Sequence, residues 1–245
     1  MTTAFYAPPS AVHGRRLVLP PEEARHATRA LRHGPGDEIL VVDGEGARHR
    51  VRLDQLGEEK TVGTILGTEH DAGEPPYELT VGLGLLKKRS RFETVLEKAV
   101  ELGAARLVPL RTRYTEAASL RRERSERILR AALKQSGRSR LPRLDAPVPL
   151  EDLVEEVRNG GSFDRSFLAH RRHRHPADPS LASALSGTDR APRLLVLIGP
   201  EGGFSEEEVA RAEAAGATVV ALGPRRLRTE TAALTAASAV MLAFS

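Results

Sequence analysis

Apolar runs and helix-start signals alternate along the C-terminal part of the chain. The run LLVLI at 194–198 is short and continuous, a pattern typical of a buried strand, and the turn GPEGG follows it. Ser205 and Glu208 then match the S-x-x-E capping box, which predicts that a helix begins at Glu206. Gly216 predicts the end of that helix. The segment therefore predicts a strand, a glycine-rich turn and a helix.

The same order of elements recurs directly afterwards. ATVVAL at 217–222 predicts the next strand, and a second Gly-Pro turn follows it. Thr229 predicts the N-cap of a last helix, whose apolar positions step by three and four residues. If the two strands are neighbours in one sheet, the two turns line a single ligand-binding cleft.

Short strands dominate the predicted structure before residue 70. Turn signals surround EILVV, and polar and apolar residues alternate in RHRVRL, as in a half-exposed strand. The predicted elements are strands at 16–19, 38–42, 48–53 and 61–66 and one helix at 21–34. This combination predicts a small barrel, and HDAGEPP at 70–76 predicts a linker to the rest of the chain.

After residue 77 strands and helices alternate, which predicts a mostly parallel α/β sheet. Ser90 and Glu93 form a second capping-box pattern, which predicts the start of a helix that ends near Gly103. The other predicted elements are strands at 78–86, 105–110 and 166–170, helices at 121–135 and 150–158, and an exposed loop at 171–180.

Composition narrows the class of protein. The 245 residues suffice for one large domain or two modest ones, and 40% of them are hydrophobic, enough for a packed core. No apolar run is long enough to span a membrane, and the N-terminus MTTAFYAPPS lacks the features of a signal peptide. Without cysteine the chain can hold no disulfide, thiolate zinc site or thiol nucleophile. We therefore expect a soluble cytoplasmic protein.

Positive charge is concentrated in one part of the chain. The formal net charge is +4, yet residues 111–143 contain eleven Lys/Arg against three Glu, so the remainder is net acidic. Such asymmetry favours a polyanionic partner such as a nucleic acid. The alternative is an arginine-rich helix face that is simply solvated.

Neither glycine-rich turn matches a nucleotide-binding fingerprint. The P-loop and Rossmann patterns are absent from both turns. A helix N-terminus can bind an anion, but Glu201 and the glutamates at 206–208 would repel a phosphate. The first turn therefore suits a neutral or cationic ligand. The alternative is a capping turn that binds nothing, and the presence of a second such turn argues against it.

Other polar clusters give weaker signals. His170, His173 and His175 follow an H-x-x-H-x-H pattern, but the arginines around them disfavour a metal ion, and we expect no metal site. Lys87 and Lys88 follow a predicted strand and can bind phosphate or simply solvate the start of a helix. No Ser-His-Asp grouping is evident from the order of residues.

Several stretches together resemble a known family. They are KKRSRFETVLEKAVELGA, KQSGRSRLP, LIGPEGGFSEEE and LGPRRLRTETAA, and HATRALRHGPGDEI resembles the family's N-terminal segment. With these motifs the chain resembles, over essentially its whole length, the bacterial 16S ribosomal RNA (uracil-N3)-methyltransferases, the RsmE type of the SPOUT superfamily. That family often has an aliphatic residue where Arg226 stands, a difference that adds charge beside the cleft and is not expected to change the reaction.

The resemblance implies an α/β fold in two domains. Residues 1–72 would form a small PUA-like β-barrel that holds RNA, and residues 73–245 a SPOUT methyltransferase domain with a parallel sheet and a C-terminal trefoil knot. Ordinary rules of chain connection argue against a knot, so the residue pattern by itself does not predict one. The resemblance also implies a homodimer formed through the SPOUT domains.

The resemblance further implies S-adenosyl-L-methionine as cofactor and one uridine of 16S rRNA, in the 30S ribosomal subunit, as substrate. By position, the residues expected around the cofactor are Ile198, Gly199, Gly203, Leu222, Gly223, Leu227 and Thr229. Two alternatives stay open at this point. One is a SPOUT reaction on another RNA position or atom, and the other is a non-catalytic RNA-binding module.

Methylation at N3 requires the uracil to lose its N3 proton. We expect Arg228 to stabilise the negative charge that then spreads onto O2 and O4. Glu201 and Glu230 are the candidates for the proton acceptor, and solvent hydroxide is the alternative if positioning dominates. The cations expected to contact the RNA backbone are Arg29, Arg32, Lys87, Lys88 and Arg138.

Overall fold

A computed structural model describes residues 4–116, 119–170, 178–187 and 192–244 of the chain. The chain separates into two compact units. The first unit consists of Met1–Glu74 with Leu129–Leu141, and the second of Pro75–Ile128 with Pro142–Ser245. His173, His175 and most of the loop predicted at 171–180 lie outside the described residues.

The first unit is built on a six-stranded sheet within the part of the chain that the structure describes. Its strands are β1 (Phe5–Tyr6), β2 (Val12–His13), β3 (Arg16–Leu19), β4 (Glu38–Val42), β5 (Ala47–Gln55) and β6 (Thr61–His70). They lie in the order β1-β4-β5-β6-β3-β2, antiparallel except for β1 beside β4. Along β5, His49, Val51 and Leu53 are buried while Arg50 and Arg52 are exposed, because successive side chains point to opposite faces.

The helix predicted at 21–34 is shorter in the structure. α1 (Pro21–Arg25) begins with proline, as predicted, and continues into one turn of π-helix at His26–Ala30, where the N–H of Leu31 donates to the carbonyl of His26 at 3.1 Å. Arg32 then adopts a left-handed φ of 56°, which ends the helical geometry before the predicted residue. The strands predicted at 16–19 and 38–42 are confirmed over the same residues.

The segment Leu129–Leu141 is held in the first unit by a buried carboxylate. Glu74 Oε2 accepts hydrogen bonds from the guanidinium of Arg138, the shorter at 2.7 Å. Glu74 Oε1 accepts from the backbone N–H groups of Ser139 and Arg140, at 2.9 and 2.8 Å. The side chains of Glu74 and Arg138 are only 10% and 5% exposed. One carboxylate therefore satisfies a guanidinium and two backbone donors at once.

A second buried carboxylate fastens the same segment to the strands of the first unit. Lys134 Nζ lies 2.6 Å from Glu23 Oε1, and Glu23 is buried. The backbone N–H of Ala4 donates to the carbonyl of Lys134 at 3.1 Å, and that of Gly46 donates to the carbonyl of Ser139 at 3.2 Å. All of these contacts join residues that are far apart in the sequence.

The second unit contains a parallel sheet, as the alternation of strands and helices predicts. Its described strands are β7 (Glu78–Gly84), β8 (Ala104–Arg111), β9 (Arg143–Leu144), β10 (Val148–Pro149), β11 (Arg165–Ala169), β12 (Arg193–Ile198) and β13 (Thr218–Val220). Their order is β10-β8-β7-β12-β11-β13, with β9 beside β8, and every pairing is parallel. β12 lies between β7 and β11, and residues 194–198 are all buried, which explains its continuous apolar run.

The helices that follow α1 are α2 (Arg89–Glu101), α3 (Arg122–Ser136), α4 (Leu150–Arg158), α5 (Leu181–Leu185), α6 (Glu206–Ala214) and α7 (Thr229–Ala243). α4 covers the residues that the pattern predicts. α3 is shared: its residues before Leu129 belong to the second unit and the rest to the first. None of the described helices is long and apolar enough to cross a membrane.

Two of the predicted helix starts lie next to the glycine-rich turns. The capping box of Ser205 and Glu208 is confirmed, with both reciprocal hydrogen bonds present and α6 beginning directly after Ser205. The predicted N-cap role of Thr229 is wrong. Arg228 is the N-cap residue of α7, and Thr229 is the first helical residue, with its side chain buried in the second unit.

The capping box predicted at Ser90 and Glu93 is also wrong. α2 begins at Arg89, two residues before the start that a Ser90 N-cap predicts, and the N-cap residue Lys88 makes no side-chain capping hydrogen bond. The carboxylate of Glu93 instead accepts two hydrogen bonds from the guanidinium of Arg124, at 2.5 and 2.8 Å. The Glu93 carboxylate therefore binds Arg124 of α3, and not the backbone N–H that a capping box requires.

Candidate functional site

The predicted functional segments meet at one edge of the sheet in the second unit. β7, β12, β11 and β13 lie side by side and parallel, so their carboxyl ends share this edge. The GPEGG turn follows β12, the LGPRRLR segment follows β13, and His170 follows β11. Ligands of open α/β sheets bind outside the carboxyl ends of the strands, where the order of strands reverses.

The first turn is compact because it lacks side chains at the points of closest approach. The N–H of Gly203 donates to the carbonyl of Pro200 at 2.8 Å, which closes the turn. A Cβ atom added to Gly199 would lie 2.8 Å from the backbone of Gly203, and one added to Gly84 would lie 2.4 Å from the ring of Pro200. Glycine at these two positions lets the turn fold on itself and rest against the end of β7.

Glu208 fixes the far side of the same turn. Its Oε2 atom accepts from the N–H of Ser205 at 2.7 Å, and the Ser205 hydroxyl accepts from the N–H of Glu208 at 3.2 Å. Its Oε1 atom accepts from the N–H of Arg113 at 2.8 Å, in the loop after β8. Because Glu208 is buried, these bonds are shielded from water, and they hold the turn and the loop together.

The second turn carries three exposed arginines, and the one that precedes α7 does not cap that helix with its side chain. Gly223 has a φ of 116°, a left-handed conformation that favours glycine, and Arg225, Arg226 and Arg228 are exposed. The carbonyl of Arg228 accepts from the N–H of Ala232 at 2.8 Å, but its side chain makes no capping hydrogen bond. The guanidinium of Arg228 is therefore available to a ligand.

Two adjoining cavities lie between these turns. The larger has a volume of about 510 Å³ and the smaller about 150 Å³. Residues that line both are Ala169, His170, Arg226, Leu227 and Ala232. All residues predicted around a cofactor line at least one cavity: Ile198, Gly199, Gly203, Leu227 and Thr229 line the larger, and Leu222, Gly223 and Leu227 the smaller.

The three residues predicted to act in catalysis are placed differently. Glu201 and Arg228 line the larger cavity, and both are exposed. Among the described residues, Glu230 is absent from the walls of both cavities. Its Oε1 atom instead lies 3.3 Å from Nε of Arg91, a residue of α2 that lines the larger cavity.

Sequence reasoning missed some residues of the larger cavity. Their sequence motifs do not place Arg91 or His170 at the cavity, yet both line it. Arg91 reaches the site because α2 starts directly after β7, whose carboxyl end lies at the same edge.

No group of three or more acidic or histidine side chains in the part of the chain described here is arranged to hold a metal ion.

Lys87 and Lys88 are exposed between β7 and α2, as a phosphate contact requires. Lys87 Nζ lies 2.5 Å from Glu116 Oε2. This hydrogen bond raises the pKa of Lys87, and the carboxylate of Glu201 adds to the effect, so the amine stays cationic. An exposed ion pair of this kind contributes little to stability, so a phosphate can replace the glutamate.

The other three predicted RNA contacts belong to the first unit. Arg29 is exposed and paired with Glu58, and Arg32 is exposed. Arg138 does not fit the prediction, because its side chain is buried and bound to Glu74. Its guanidinium stabilises the fold of the first unit and is not presented to a phosphate.

The family is identified by comparison with known proteins. A family model described as an RNA methyltransferase domain matches residues 73–241. The ribosomal RNA small subunit methyltransferase E of Synechocystis is 32% identical over 237 residues, which cover 91% of this chain and 76% of that protein. The match therefore extends through both units.

Solved structures agree with this comparison. A probable rRNA-methyltransferase from Porphyromonas gingivalis has a TM-score of 0.87 and 29% identity, covering 99% of this chain and 98% of that one. The ribosomal RNA small subunit methyltransferase E from Neisseria gonorrhoeae, solved with S-adenosyl methionine bound, has a TM-score of 0.83 and 27% identity at the same coverage. By sequence and by structure, this chain belongs to the ribosomal RNA small subunit methyltransferase E family of RNA methyltransferases.

Proposed function

We propose that this protein transfers a methyl group from S-adenosyl-L-methionine to N3 of one uridine in 16S rRNA of the small ribosomal subunit. The observation that carries the proposal is the pair of cavities between the two turns. Arg228 and Glu201 lie on the wall of the larger cavity. Membership of the methyltransferase family supports the reaction class and the RNA substrate.

The lining of the two cavities fits the cofactor. The larger volume, about 510 Å³, is within the usual range for a small-molecule site. The smaller cavity is lined by Val220, Ala221, Leu222 and Leu227, which suit a flat apolar ring. Glu201 places a carboxylate where a sulfonium or ammonium group is tolerated. The residues that would hold the cofactor are Ile198, Gly199, Gly203, Leu222, Gly223, Leu227 and Thr229, and when bound it supplies an electrophilic methyl group.

The chain's own residues then act on the uracil. N3 lies on the Watson–Crick edge, so the target base must be unpaired or flipped out of its helix. Arg228 stabilises the negative charge that develops on O2 and O4 as the N3 proton leaves, a contribution of about 3 kcal/mol when well aimed. Of the two carboxylates predicted to accept the proton, Glu201 is the one on the cavity wall.

The proposal includes the finer architecture that the family resemblance implies. Residues 1–72 would act as a PUA-like RNA-binding β-barrel, and residues 73–245 as a SPOUT domain with a C-terminal trefoil knot. The parallel sheet and the two turns at its carboxyl edge support the SPOUT assignment. Action on ribosomal subunits places the protein in the cytoplasm.

We also propose that the protein is a homodimer formed through the second unit. α7 has the sequence TETAALTAASAVMLA, with apolar residues on every side, and Leu242 is 72% exposed. A helix that is apolar all round is normally covered on all sides, and a second copy of the chain is the proposed cover. Sedimentation equilibrium is expected to give a dimer for the wild type and a monomer for Leu242→Glu; a monomeric wild type contradicts the proposal.

The proposed reaction is tested with unmodified 30S subunits and naked 16S rRNA. Each is incubated with the protein and isotopically labelled cofactor, and the RNA is digested and mapped by nucleoside mass spectrometry. The expected product is 3-methyluridine at a single position. A 2′-O-methylated nucleoside or a different methylated base would favour another SPOUT reaction. Failure of the pure protein to bind the cofactor would favour a non-catalytic RNA-binding module.

Replacing both Lys87 and Lys88 with alanine is expected to weaken RNA binding because two cations beside the cavity are lost. The log–log salt dependence of the binding constant should become shallower by about 0.7 to 0.9 for each phosphate contact removed. Lys98→Ala is the control, since Lys98 lies farther along the chain, within α2, and pairs with Glu97 and Glu101. An unchanged slope in the double variant would remove these lysines from the RNA interface.

A further inference from the structure

Arg91 is the arginine of the larger cavity that comes from a regular helix. It lies in the first turn of α2, and its side chain is 26% exposed. Arg226 and Arg228, the other arginines on this wall, belong to the turn after β13 and are exposed. A guanidinium on a helix is held more rigidly than one on a turn, which makes Arg91 suited to fixing the position of a ligand.

Glu230 is the partner that orients Arg91. Its side chain is 17% exposed, and Oε1 lies 3.3 Å from Nε of Arg91. The other oxygen, Oε2, is buried and has no hydrogen-bond partner among the described residues. A buried carboxylate oxygen is costly unless the charge is balanced, so the pair with Arg91 stabilises the Glu230 side chain in this position.

The contact with Glu230 leaves the outer edge of the guanidinium available. Arg91 has five N–H donors in a fixed fork, and the pair with Glu230 involves Nε. The two Nη groups can therefore make the parallel hydrogen bonds by which arginine binds carboxylates and phosphates.

We propose that Arg91 binds an anionic oxygen group in the larger cavity, and that Glu230 is the positioning residue that holds Arg91 there and not the proton acceptor. The inference rests on the proposed methyltransferase function. Each reactant of that function carries such a group: the RNA has phosphates, and the cofactor has a carboxylate. Both have the same recognition chemistry, and binding measurements separate them.

The test begins with Arg91→Ala and direct titrations of S-adenosyl-L-methionine and of 16S rRNA. A loss of about tenfold or more in RNA affinity alone assigns the group to a phosphate, and the same loss for the cofactor alone assigns it to the carboxylate. Arg91→Lys is expected to recover part of the loss, because the charge is restored without the fork. A change of less than about threefold for both ligands overturns the proposal.

A double-mutant cycle separates positioning from proton transfer. Glu230→Gln is expected to weaken the same ligand several-fold in the wild-type background and to have no further effect when Arg91 is alanine. An equal fall in kcat in both backgrounds, with a changed pH profile, would make Glu230 the proton acceptor and overturn its positioning role. Thermal unfolding of each variant separates loss of binding from loss of fold. The variant that combines Arg91→Ala with Glu230→Gln should be more stable than Arg91→Ala alone, because it leaves no unpaired carboxylate at residue 230.

The pair Glu93–Arg124 supplies the control. Glu93 is also on α2, its ion pair joins α2 to α3, and neither Glu93 nor Arg124 lines either of the two cavities. The same cycle on this pair is expected to leave both ligand affinities unchanged. If the wild type binds neither ligand, the proposed function fails; if it binds both and Arg91→Ala changes neither, only the present inference fails.

Discussion

Arg228→Ala is expected to lower turnover about 10²- to 10³-fold, the effect of removing a well-aimed donor from a developing anion. The guanidinium lines the larger cavity and makes no capping hydrogen bond to α7, so the helix does not depend on it. Affinity for S-adenosyl-L-methionine should stay within several-fold of the wild type. The reason is that the residues expected around the cofactor include several glycines, whose contacts come from the backbone.

Single-turnover transfer of a labelled methyl group, together with calorimetric titration of the cofactor, measures the two quantities separately. Arg226→Leu is the matched control, since Arg226 lies on the same turn and the same wall. The family resemblance implies that an aliphatic residue is tolerated at this position, so turnover should be retained. Unchanged turnover in Arg228→Ala would remove this residue from the mechanism, and an equal loss in both variants would indicate a general effect of charge.

Glu74→Ala is expected to destabilise the first unit by about 3–5 kcal/mol, the usual cost of breaking a buried ion pair from one side. The substitution strands the buried guanidinium of Arg138 and also removes the acceptor for two backbone N–H groups. Such a loss is a large fraction of the stability of an ordinary domain, about 5–15 kcal/mol. Urea denaturation followed by far-UV circular dichroism measures the effect.

The exposed pair of Asp71 and Arg140 provides the comparison, because it joins the same two parts of the first unit on its surface. Asp71→Asn should cost about 1 kcal/mol or less, since exposed ion pairs contribute little. A cost for Glu74→Ala no larger than that of Asp71→Asn would mean that Leu129–Leu141 is not held by this carboxylate.

Features that depend on neighbouring residues could be predicted from the sequence. The apolar run of β12, the capping box at Ser205 and the alternation that gives a parallel sheet are all local patterns, and the structure confirms them. The position of both turns at the carboxyl edge of the sheet could also be predicted, because the carboxyl ends of neighbouring parallel strands lie on the same side. These predictions needed no knowledge of distant contacts.

Features that depend on distant residues could not be predicted. Glu208 was recognised as a capping residue, but its bond to the N–H of Arg113 joins two segments that no local pattern connects. Arg138 was expected to meet phosphate because it is basic and follows a basic helix, whereas Glu74 buries it. Arg91 likewise lies beside the two turns only in the folded chain, because they are more than 100 residues away in the sequence. In each case a charged side chain has a partner that only the folded chain provides.

The sharing of α3 between the two units has a consequence for folding during synthesis. Residues up to Glu74 leave the ribosome well before Leu129–Leu141, which supplies the partners of two buried carboxylates, Glu23 and Glu74. N-terminal domains usually fold first as the chain emerges. Here the first unit cannot gain its full set of contacts until residues 75–128 of the second unit have been made, so the partners of these carboxylates are missing from the nascent chain until then.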